Sequence, residues 1–333
     1  MGTRATGDGP GSFAITGPGF HGRLPRGVRR IRSAYQHVWL VGRTLVGGPA
    51  DLPAVHRVQD GYRLIPLRAF RKRGLAYAPP RPKQIITTHT KAVEPTGLAF
   101  LDALGDALAQ NPPPARDAPI LAELATAGIG PGLHPSQESL STDVIAGLTA
   151  AVANGPADVY SQRVKLAAQS IAVNNGWYVA SPDIGAFGTD YPLRAVVAVY
   201  GIAANRPIEA LYPVGATDTT GHLLNGTNSY VLHFAAGQLP PARYFWSLTM
   251  YDQNFFLVPN PIDRYEIGNR SPFVKNPDGS VDVYIQSSAP AGHEANWLPS
   301  PAAGTFEVTL RMYGPLPSVL NGSYRYPSIT RTG

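Results

Sequence analysis

The sequence predicts an α+β protein in which helices precede a C-terminal antiparallel jelly-roll-like β-sandwich. Gly (35) and Pro (33) are abundant in the 333 residues and charged residues make up only 15%, which fits a loop-rich β protein better than a helical bundle. Apolar residues recur at helical spacing between about 95 and 207, and every second residue after 208. The hydrophobic content of 44% argues against disorder of the whole chain.

The first part of the chain, residues 1–67, predicts a small β remnant. Three stretches have strand-like composition: 13–16, 28–32 and 38–41. Residues 53–60 predict a short helix with Asp51 as its N-cap. Residues 68–94 combine prolines with basic side chains and are interpreted as a linker.

The middle of the chain, residues 95–207, predicts a helical segment. Apolar residues lie three or four apart from Thr96 to Gln110, where Asn111 and three prolines end the helix. Further helices are predicted at 118–127, 141–153, 156–174 and 191–204. The sequence Asn174-Asn175-Gly176 is typical of a helix C-terminus and is expected to end the helix at 156–174.

The last part, residues 208–333, predicts the sandwich. Five stretches have the two-residue period of strands: 208–212, 229–235, 244–251, 281–287 and 305–313. The turns between strands have residue types that hairpins prefer, at Asn225-Gly226, Asp278-Gly279 and Ala303-Gly304. We therefore expect antiparallel pairing of these strands.

Charge and composition narrow the classes of partner. The formal net charge is +6, but no nucleic-acid-binding module accompanies the basic residues, so nucleic acid is not an expected partner. The absence of cysteine excludes disulfides, thiolate metal sites and a cysteine nucleophile. No apolar run approaches the ~20 residues that span a bilayer. The first residues lack the apolar core of a secretory signal.

Several blocks of residues resemble a known bacterial family. Residues 42–46 and 60–67 are similar to the end of domain of unknown function 1254. Residues 245–252, 296–299 and 310–313 resemble blocks of its companion, domain of unknown function 1214. The resemblance spans about 13–67 and 95–330. It implies a C-terminal jelly-roll-like sandwich, a helical segment before it and a β-rich domain ahead. Members of the family are often exported, and with no established role the family carries no catalytic residues onto this chain.

The resemblance also implies that residues 1–67 are the tail of a longer first domain. We therefore expect an N-terminally truncated chain or a fragment, whose localisation the sequence leaves unknown. A few strands without partners would leave an open sheet edge, which favours association.

No catalytic constellation is expected from the residues alone. The eight histidines include no pair at the i, i+4 spacing of a helical metal site, so no metal is expected. No Gly-x-Ser-x-Gly turn is present, and Ser247 lies inside a predicted strand. The carboxylates of the second half are scattered, and Asp252 fits a turn role. The phosphate-binding sequence Gly-x-x-x-x-Gly-Lys-Ser/Thr is missing, and no cofactor is expected.

Six residues are candidates for ligand contact: Tyr251, Asp252, Asn254, His222, Arg194 and Asn296. Aromatic rings beside Asn and Asp suit stacking on sugars or other flat ligands. Arg194 lies in an otherwise apolar predicted helix, where it needs a carboxylate partner. Trp246 and Trp297 are assigned to the core, because aromatic residues in strands usually pack there.

Two functions follow from this reading. The first is a non-catalytic ligand-binding or structural role in the bacterial envelope, with carbohydrate or another small molecule as ligand and self-association into a homo-oligomer. The alternative is a hydrolase whose site lies at the junction of the helices and the sandwich.

Overall fold

The computed structural model describes residues 3–7, 9–78, 80, 95–168 and 171–333. It confirms the α+β class. The described helices are α1 (Thr3–Thr6), α2 (Leu52–Asp60), α3 (Leu67–Arg73), α4 (Leu98–Gln110), α5 (Ala118–Ala125), α6 (Thr142–Ala168), α7 (Tyr191–Tyr200) and α8 (Pro317–Leu320). None of the helices in these ranges is both long and apolar enough to cross a membrane.

The described strands form three sheets. They are β1 (Ser12–Thr16), β2 (Val28–Arg32), β3 (Ile171–Ala172), β4 (Trp177–Val179), β5 (Ala210–Leu211), β6 (Val214–Gly215), β7 (Tyr230–Phe234), β8 (Ala242–Asp252), β9 (Glu266–Gly268), β10 (Val281–Gln286), β11 (Trp297–Pro299), β12 (Phe306–Pro315) and β13 (Ile329–Arg331). The chain divides into two compact units, Asp8–Gly155 and Pro156–Gly333 with Met1–Gly7.

In the Asp8–Gly155 unit, β1 and β2 form a parallel pair in which Ser12 lies opposite Val28. The third strand predicted here, at 38–41, is wrong: these residues form no strand, and Trp39 is 67% exposed. A strand-like composition needs a partner to form a ladder, and none pairs with it among the described residues.

The helix at α2 is confirmed with Asp51 directly before it, although the Asp51 carboxylate accepts a hydrogen bond from the Gly47 amide (2.9 Å) rather than capping the helix. The linker prediction is wrong at its start, because α3 occupies Leu67–Arg73. Leu, Ala, Arg and Lys are good helix formers, which outweighs the basic, linker-like composition. Residues 79 and 81–94 of the predicted linker lie outside the described residues.

Helix α6 joins the two helices predicted at 141–153 and 156–174 into one that runs through Pro156. Proline removes one helical hydrogen bond and is a frequent rather than an obligatory boundary. Several alanines on both sides of Pro156 are strong helix formers and favour continuation.

The predicted helix stop at Asn174-Asn175-Gly176 is instead a turn between two strands. Asn175 (φ 57°) and Gly176 (φ 79°) both adopt left-handed backbone conformations, as a tight hairpin turn requires. The flanking strands β3 and β4 pair antiparallel, so the segment 95–207 is not entirely helical. Asn-Gly suits a helix end and a hairpin equally well, and the tertiary pairing decides between them.

The largest sheet has seven strands, with β12 and β8 at its centre. These two pair antiparallel over almost their whole length, with Thr309 opposite Thr249. The order across the sheet is β3-β4-β6-β12-β8-β9, and β5 also pairs with β12. The predicted strands 208–212, 244–251 and 305–313 correspond to β5, β8 and β12. The other strands of this sheet, β3, β4, β6 and β9, have two or three residues each and were not predicted.

The second sheet has four strands in the order β11-β10-β7-β13. Predicted strands 229–235 and 281–287 correspond to β7 and β10, which pair antiparallel. The expectation of purely antiparallel pairing is wrong at one place: β10 and β11 are parallel, with Tyr284 opposite Trp297. The connection between them, 287–296, is a loop that ends in a 3₁₀ turn, Glu294–Asn296.

The two sheets face each other across one hydrophobic cluster. Phe234 of β7 and Trp246 of β8 have ring centroids 5.6 Å apart, and Tyr230 of β7 contacts Phe306 of β12 at 5.8 Å. Inward residues of β12 and β8 alternate with residues on the other face, which we call the outer face of the seven-stranded sheet. Trp246 and Trp297 are 4% and 5% exposed, as expected for core residues.

Candidate functional site

The end of β8 carries three of the six predicted ligand-facing residues. The Asp252 carboxylate accepts hydrogen bonds from the backbone amides of Asn254 (2.8 Å) and Phe256 (2.9 Å), which is the turn role that its sequence context fits. Phe255 takes a positive φ of 64° in this turn. Asn254 is exposed, while the Tyr251 hydroxyl accepts a hydrogen bond from Arg311.

His222 lies in a separate turn built around Asp218. The buried Asp218 carboxylate accepts hydrogen bonds from the Thr220 hydroxyl (2.6 Å), the Thr220 amide (2.8 Å) and the His222 amide (3.1 Å). These bonds, that of the Thr220 hydroxyl above all, lower the pKa of Asp218. The His222 Nδ1 atom lies 2.7 Å from the Thr220 hydroxyl. His222 thus belongs to a local turn network.

Asn296 is 4% exposed, and its side chain is used within the protein. Its amide nitrogen donates to the carbonyls of Val274 and Asp282, both at 2.8 Å, and its carbonyl accepts from the Val274 amide at 2.9 Å. These contacts run counter to a ligand-facing role. They hold the loop at Val274 against β10, because a buried amide with three partners is fixed in place.

Arg194 is half-buried on α7, and its guanidinium carbon lies 5.2 Å from the ring centroid of Tyr191 on the same helix. No hydrogen bond described for His222 or Asn296 joins either of them to another of the six residues. Tyr251, Asp252 and Asn254 lie at one strand end, whereas His222 and Asn296 make their described hydrogen bonds within two other loops.

A different set of polar residues meets on the outer face of the seven-stranded sheet. Ser247, Thr249 and Thr309 form what we call the hydroxyl floor, and they are only 7%, 7% and 8% exposed. Thr249 and Thr309 lie directly opposite each other, and Ser247 lies opposite Arg311. None of the three hydroxyls donates to or accepts from another described residue. The three hydroxyl oxygens are not among the fully buried atoms that lack a partner, so they are open to water or to a ligand.

Longer side chains stand around the hydroxyl floor. Glu307 and Tyr251 lie opposite each other on β12 and β8, and Arg311 is four residues beyond Glu307 on the same face of β12. Tyr178 of β4 lies in the same row of the sheet as Val214 and Thr309. The arrangement places the short side chains of the floor between longer tyrosine, glutamate and arginine side chains, which we call the rim.

Glu307 and Tyr178 form a hydrogen-bonded acid pair on this rim. Burial raises the pKa of Glu307, against the opposing effects of the positive charge on Arg163 and the hydrogen bond from Tyr178. Burial, followed by the nearby charge of Glu307, raises the pKa of Tyr178 to about 12. Tyr178 is therefore a protonated donor at neutral pH, and it donates to the Glu307 carboxylate.

Arg163 of α6 joins this pair to an aromatic group at the surface. Its guanidinium carbon lies 4.7 Å from the ring centroid of Tyr200 and 4.8 Å from that of Phe255. Arginine held between two rings is restrained by cation–π contacts. The exposed rings of Phe255 and Phe256, at 53% and 70%, extend this group into solvent.

Two open depressions of about 380 Å³ each lie elsewhere, in the Asp8–Gly155 unit. One is lined by residues including Phe20, His21 and Arg30, and the other by residues including Arg68 and Tyr77. Neither depression contains any of the six predicted residues or the hydroxyl floor. The candidate site is therefore chosen for the polar side chains of the outer face and not for the volume of a cavity. Among the residues described, no three His, Asp or Glu side chains are grouped as metal ligands.

The residues that make this site were not predicted, apart from Tyr251. A signal was present in the alternation Glu307-x-Thr309-x-Arg311-x-Tyr313, which places four polar or aromatic side chains on one face of a strand. That pattern ordinarily marks a solvated face. Only the pairing of β12 between β6 and β8 makes Thr309 a buried residue.

Comparison with known proteins identifies family and fold. A model described as Protein of unknown function (DUF1214) matches residues 209–317, and one described as Protein of unknown function (DUF1254) matches residues 1–66. No curated protein matches the sequence.

Two solved structures are similar to this chain. The crystal structure of the VPA0106 protein from Vibrio parahaemolyticus has 20% identity and a TM-score of 0.69, covering 99% of this chain and 78% of that chain. An uncharacterised protein from Burkholderia cenocepacia has 13% identity and a TM-score of 0.27, covering 65% of this chain and 49% of that chain. The first likeness supports the fold alone, and the second carries no argument.

Proposed function

This chain belongs to the family that carries the DUF1254 and DUF1214 regions, and because both are described only as of unknown function we propose its role from the outer face itself. We propose that it is a binding protein without chemistry of its own. It takes a small polar ligand on the hydroxyl floor, between the rim residues Glu307, Tyr251 and Arg311.

The observation that carries this proposal is the hydroxyl floor. A sheet face that is covered by protein usually gives its hydroxyls protein partners. The hydroxyls of Ser247, Thr249 and Thr309 have neither full exposure nor a described protein partner. A ligand with several hydrogen-bonding groups would satisfy them.

The remaining parts of the proposal concern the fold and the setting. A jelly-roll relationship is supported by the way the chain alternates between two facing sheets, from β7 to β8 and from β9 to β10. An envelope location is supported by the resemblance to a family whose members are often exported. Self-association into a homo-oligomer is supported only by analogy with capsid-type jelly rolls.

A hydrolase is the second candidate, and one observation favours it. Burial raises the pKa of Glu307, as a general acid requires, and Glu307 lies where Arg163 of α6 meets the sheet. The alternative needs Glu307 to transfer a proton to bound substrate, whereas the binding proposal needs only its hydrogen bonds.

We expect Thr249→Val and Thr309→Val each to weaken ligand binding about tenfold, because valine keeps the side-chain shape and removes one hydrogen bond of roughly 1–1.5 kcal/mol. Thr330→Val, at an exposed position of β13, is the matched control and should bind as the parent does. The measurement is a thermal-shift screen of organic acids and sugars, followed by titration calorimetry.

Mass spectrometry of each recovered ligand separates binding from hydrolysis. Unchanged ligand supports the binding protein, and accumulation of a product that Glu307→Gln abolishes supports the hydrolase. Equal affinities for the parent and both floor variants would place the ligand elsewhere and end the proposal.

The raised pKa of Glu307 gives a prediction for stability against pH. A carboxyl group whose folded pKa lies above its unfolded value contributes stability below about pH 4.5, and this contribution is lost as pH rises through the folded pKa. Glu307→Gln removes the charge and keeps a polar side chain. We therefore expect the variant to be at least as stable as the parent at neutral pH, with the difference disappearing near pH 4.

Chemical denaturation between pH 4 and 8 measures this difference. A variant that is less stable at pH 7 and equally stable at pH 4 would show that the ionised carboxylate is favoured in the folded protein, contrary to the burial of Glu307.

A further inference from the structure

Arg311 lies in the middle of β12 on the outer face, half-buried. Its Nη2 atom donates to the Tyr251 hydroxyl, and its guanidinium carbon lies 5.2 Å from the centroid of the Tyr251 ring. These two contacts fix the guanidinium next to the hydroxyl floor, since Ser247 is directly opposite Arg311 in the sheet.

The charge of Arg311 has no carboxylate partner within 4.0 Å among the described residues. Glu307 lies four residues away on the same face of the strand, so its Cα atom is roughly 13 Å from that of Arg311 at the rise of a β-strand. The groups that surround Arg311 are phenols. Burial, the largest effect, raises the pKa of Tyr212 to about 12. The nearby positive charge of Arg311 acts on this pKa in the opposite direction.

Arg311 therefore has a half-buried positive charge surrounded by neutral hydroxyl groups. A guanidinium has five N–H donors, and the hydrogen bond described for Arg311 uses one of them. A guanidinium that is partly withdrawn from water and has no carboxylate partner is stabilised by a bound anion. The Tyr212 phenol and the Ser and Thr hydroxyls can donate hydrogen bonds to an anion bound at Arg311, but they carry no charge that neutralises the arginine.

We propose that the ligand is a hydroxy acid of the sugar-acid class, whose carboxylate pairs with Arg311 and whose hydroxyl groups bond to the hydroxyl floor. This inference rests on the proposed ligand-binding function and names its ligand class. A carboxylate matches the planar fork of one guanidinium and carries one compensating charge. The three hydroxyls beside it, Ser247, Thr249 and Thr309, match a ligand with several hydroxyl groups in a row.

The alternative anion is inorganic phosphate or a phosphate ester. A doubly charged phosphate is usually bound by several cations or by a set of backbone amides. The second guanidinium near the floor, Arg163, has the carboxylate of Glu307 as its counter-charge, and the strand that carries Arg311 has amides that are used by β6 and β8. The observations therefore favour the singly charged carboxylate.

Titration calorimetry on the full chain tests the proposal, with gluconate and glucuronate as the acids, glucose as the neutral sugar and inorganic phosphate as the other anion. We expect at least one of the two acids to bind about tenfold or more tightly than glucose, because a hydrogen bond to a charged group is worth roughly 1.5–3 kcal/mol. Phosphate is expected to bind more weakly than that acid.

Arg311→Gln is expected to lower the affinity for the acid about tenfold or more and to remove the preference over glucose. Arg311→Lys keeps the positive charge but loses the planar pair of donors, so its affinity for the acid should fall between those of the parent and of Arg311→Gln. Arg331→Gln, at an exposed arginine of β13, is the matched control and should bind as the parent does. Thermal melting of each variant shows that it is folded.

The outcomes separate the two proposals. If Thr309→Val weakens binding of glucose and acids alike while Arg311→Gln changes nothing, the carboxylate assignment is wrong and the binding site stands. If neither substitution changes any affinity, both are wrong. Tighter binding of phosphate than of either acid, or no binding of any probe by the parent chain, also overturns the sugar-acid assignment.

Discussion

Replacing Trp177 by alanine is expected to lower the free energy of unfolding by about 3–5 kcal/mol, the usual range for a buried tryptophan. Trp177 is 1% exposed, and its ring stacks on that of Tyr326 with centroids 5.8 Å apart. Its indole N–H donates to the Pro327 carbonyl at 2.7 Å. Truncation removes the ring from the core and leaves this carbonyl unpaired.

Chemical denaturation monitored by circular dichroism measures the effect. Phe256→Ala, which truncates a ring that is 70% exposed in the same unit, is the matched control and should change stability by less than about 0.5 kcal/mol. Trp177→Phe keeps most of the ring and loses the N–H, so an intermediate loss is expected. A change in Trp177→Ala as small as that of the control would mean that the ring does not hold β4 to the core.

Asn296→Ala is expected to destabilise the protein by about 2–4 kcal/mol, because leaving buried polar groups unsatisfied costs roughly 1–3 kcal/mol each. The substitution removes the partner of the Val274 amide and of the carbonyls of Val274 and Asp282. Water that enters the space would recover part of this loss.

Asn254→Ala provides the comparison, because Asn254 is the same residue type in an exposed turn. It should be nearly neutral for stability. If Asn296→Ala is also neutral and instead weakens ligand binding, then Asn296 is a ligand residue, as its sequence context suggested, and its hydrogen bonds within the fold are of little consequence. Denaturation and calorimetry on the two variants distinguish these results.

The hydroxyl floor changes how the polar residues of β12 are understood. Glu307, Thr309 and Arg311 alternate with core residues and read, along the sequence, as a solvated face. In the sheet they differ in kind: Thr309 is buried, Glu307 has a raised pKa, and Arg311 lacks a described carboxylate partner. The site is therefore a property of neighbouring strands rather than of any sequence motif.

The misplaced elements have a common cause. The stretch at 38–41 has strand residues without a partner strand among the described residues, and Asn175-Gly176 has a turn sequence that two different structures use. Helix α6 passes a proline that ordinarily ends helices. In each case the local preference is about 1–3 kcal/mol, small enough for tertiary contacts to override.

The sequence by itself determined the α+β class, the family and the positions of the main helices and of the longer described strands, β1, β2, β7, β8, β10 and β12. Hydrophobic periodicity is a local property that burial of one face imposes on each element. Tertiary structure alone decided which strands became neighbours, including the parallel pair β10 and β11. It also decided that Asn296 is satisfied within the fold and that Thr309 is buried without a described partner. Burial and hydrogen bonding depend on residues far apart in the chain, whose approach no local pattern encodes.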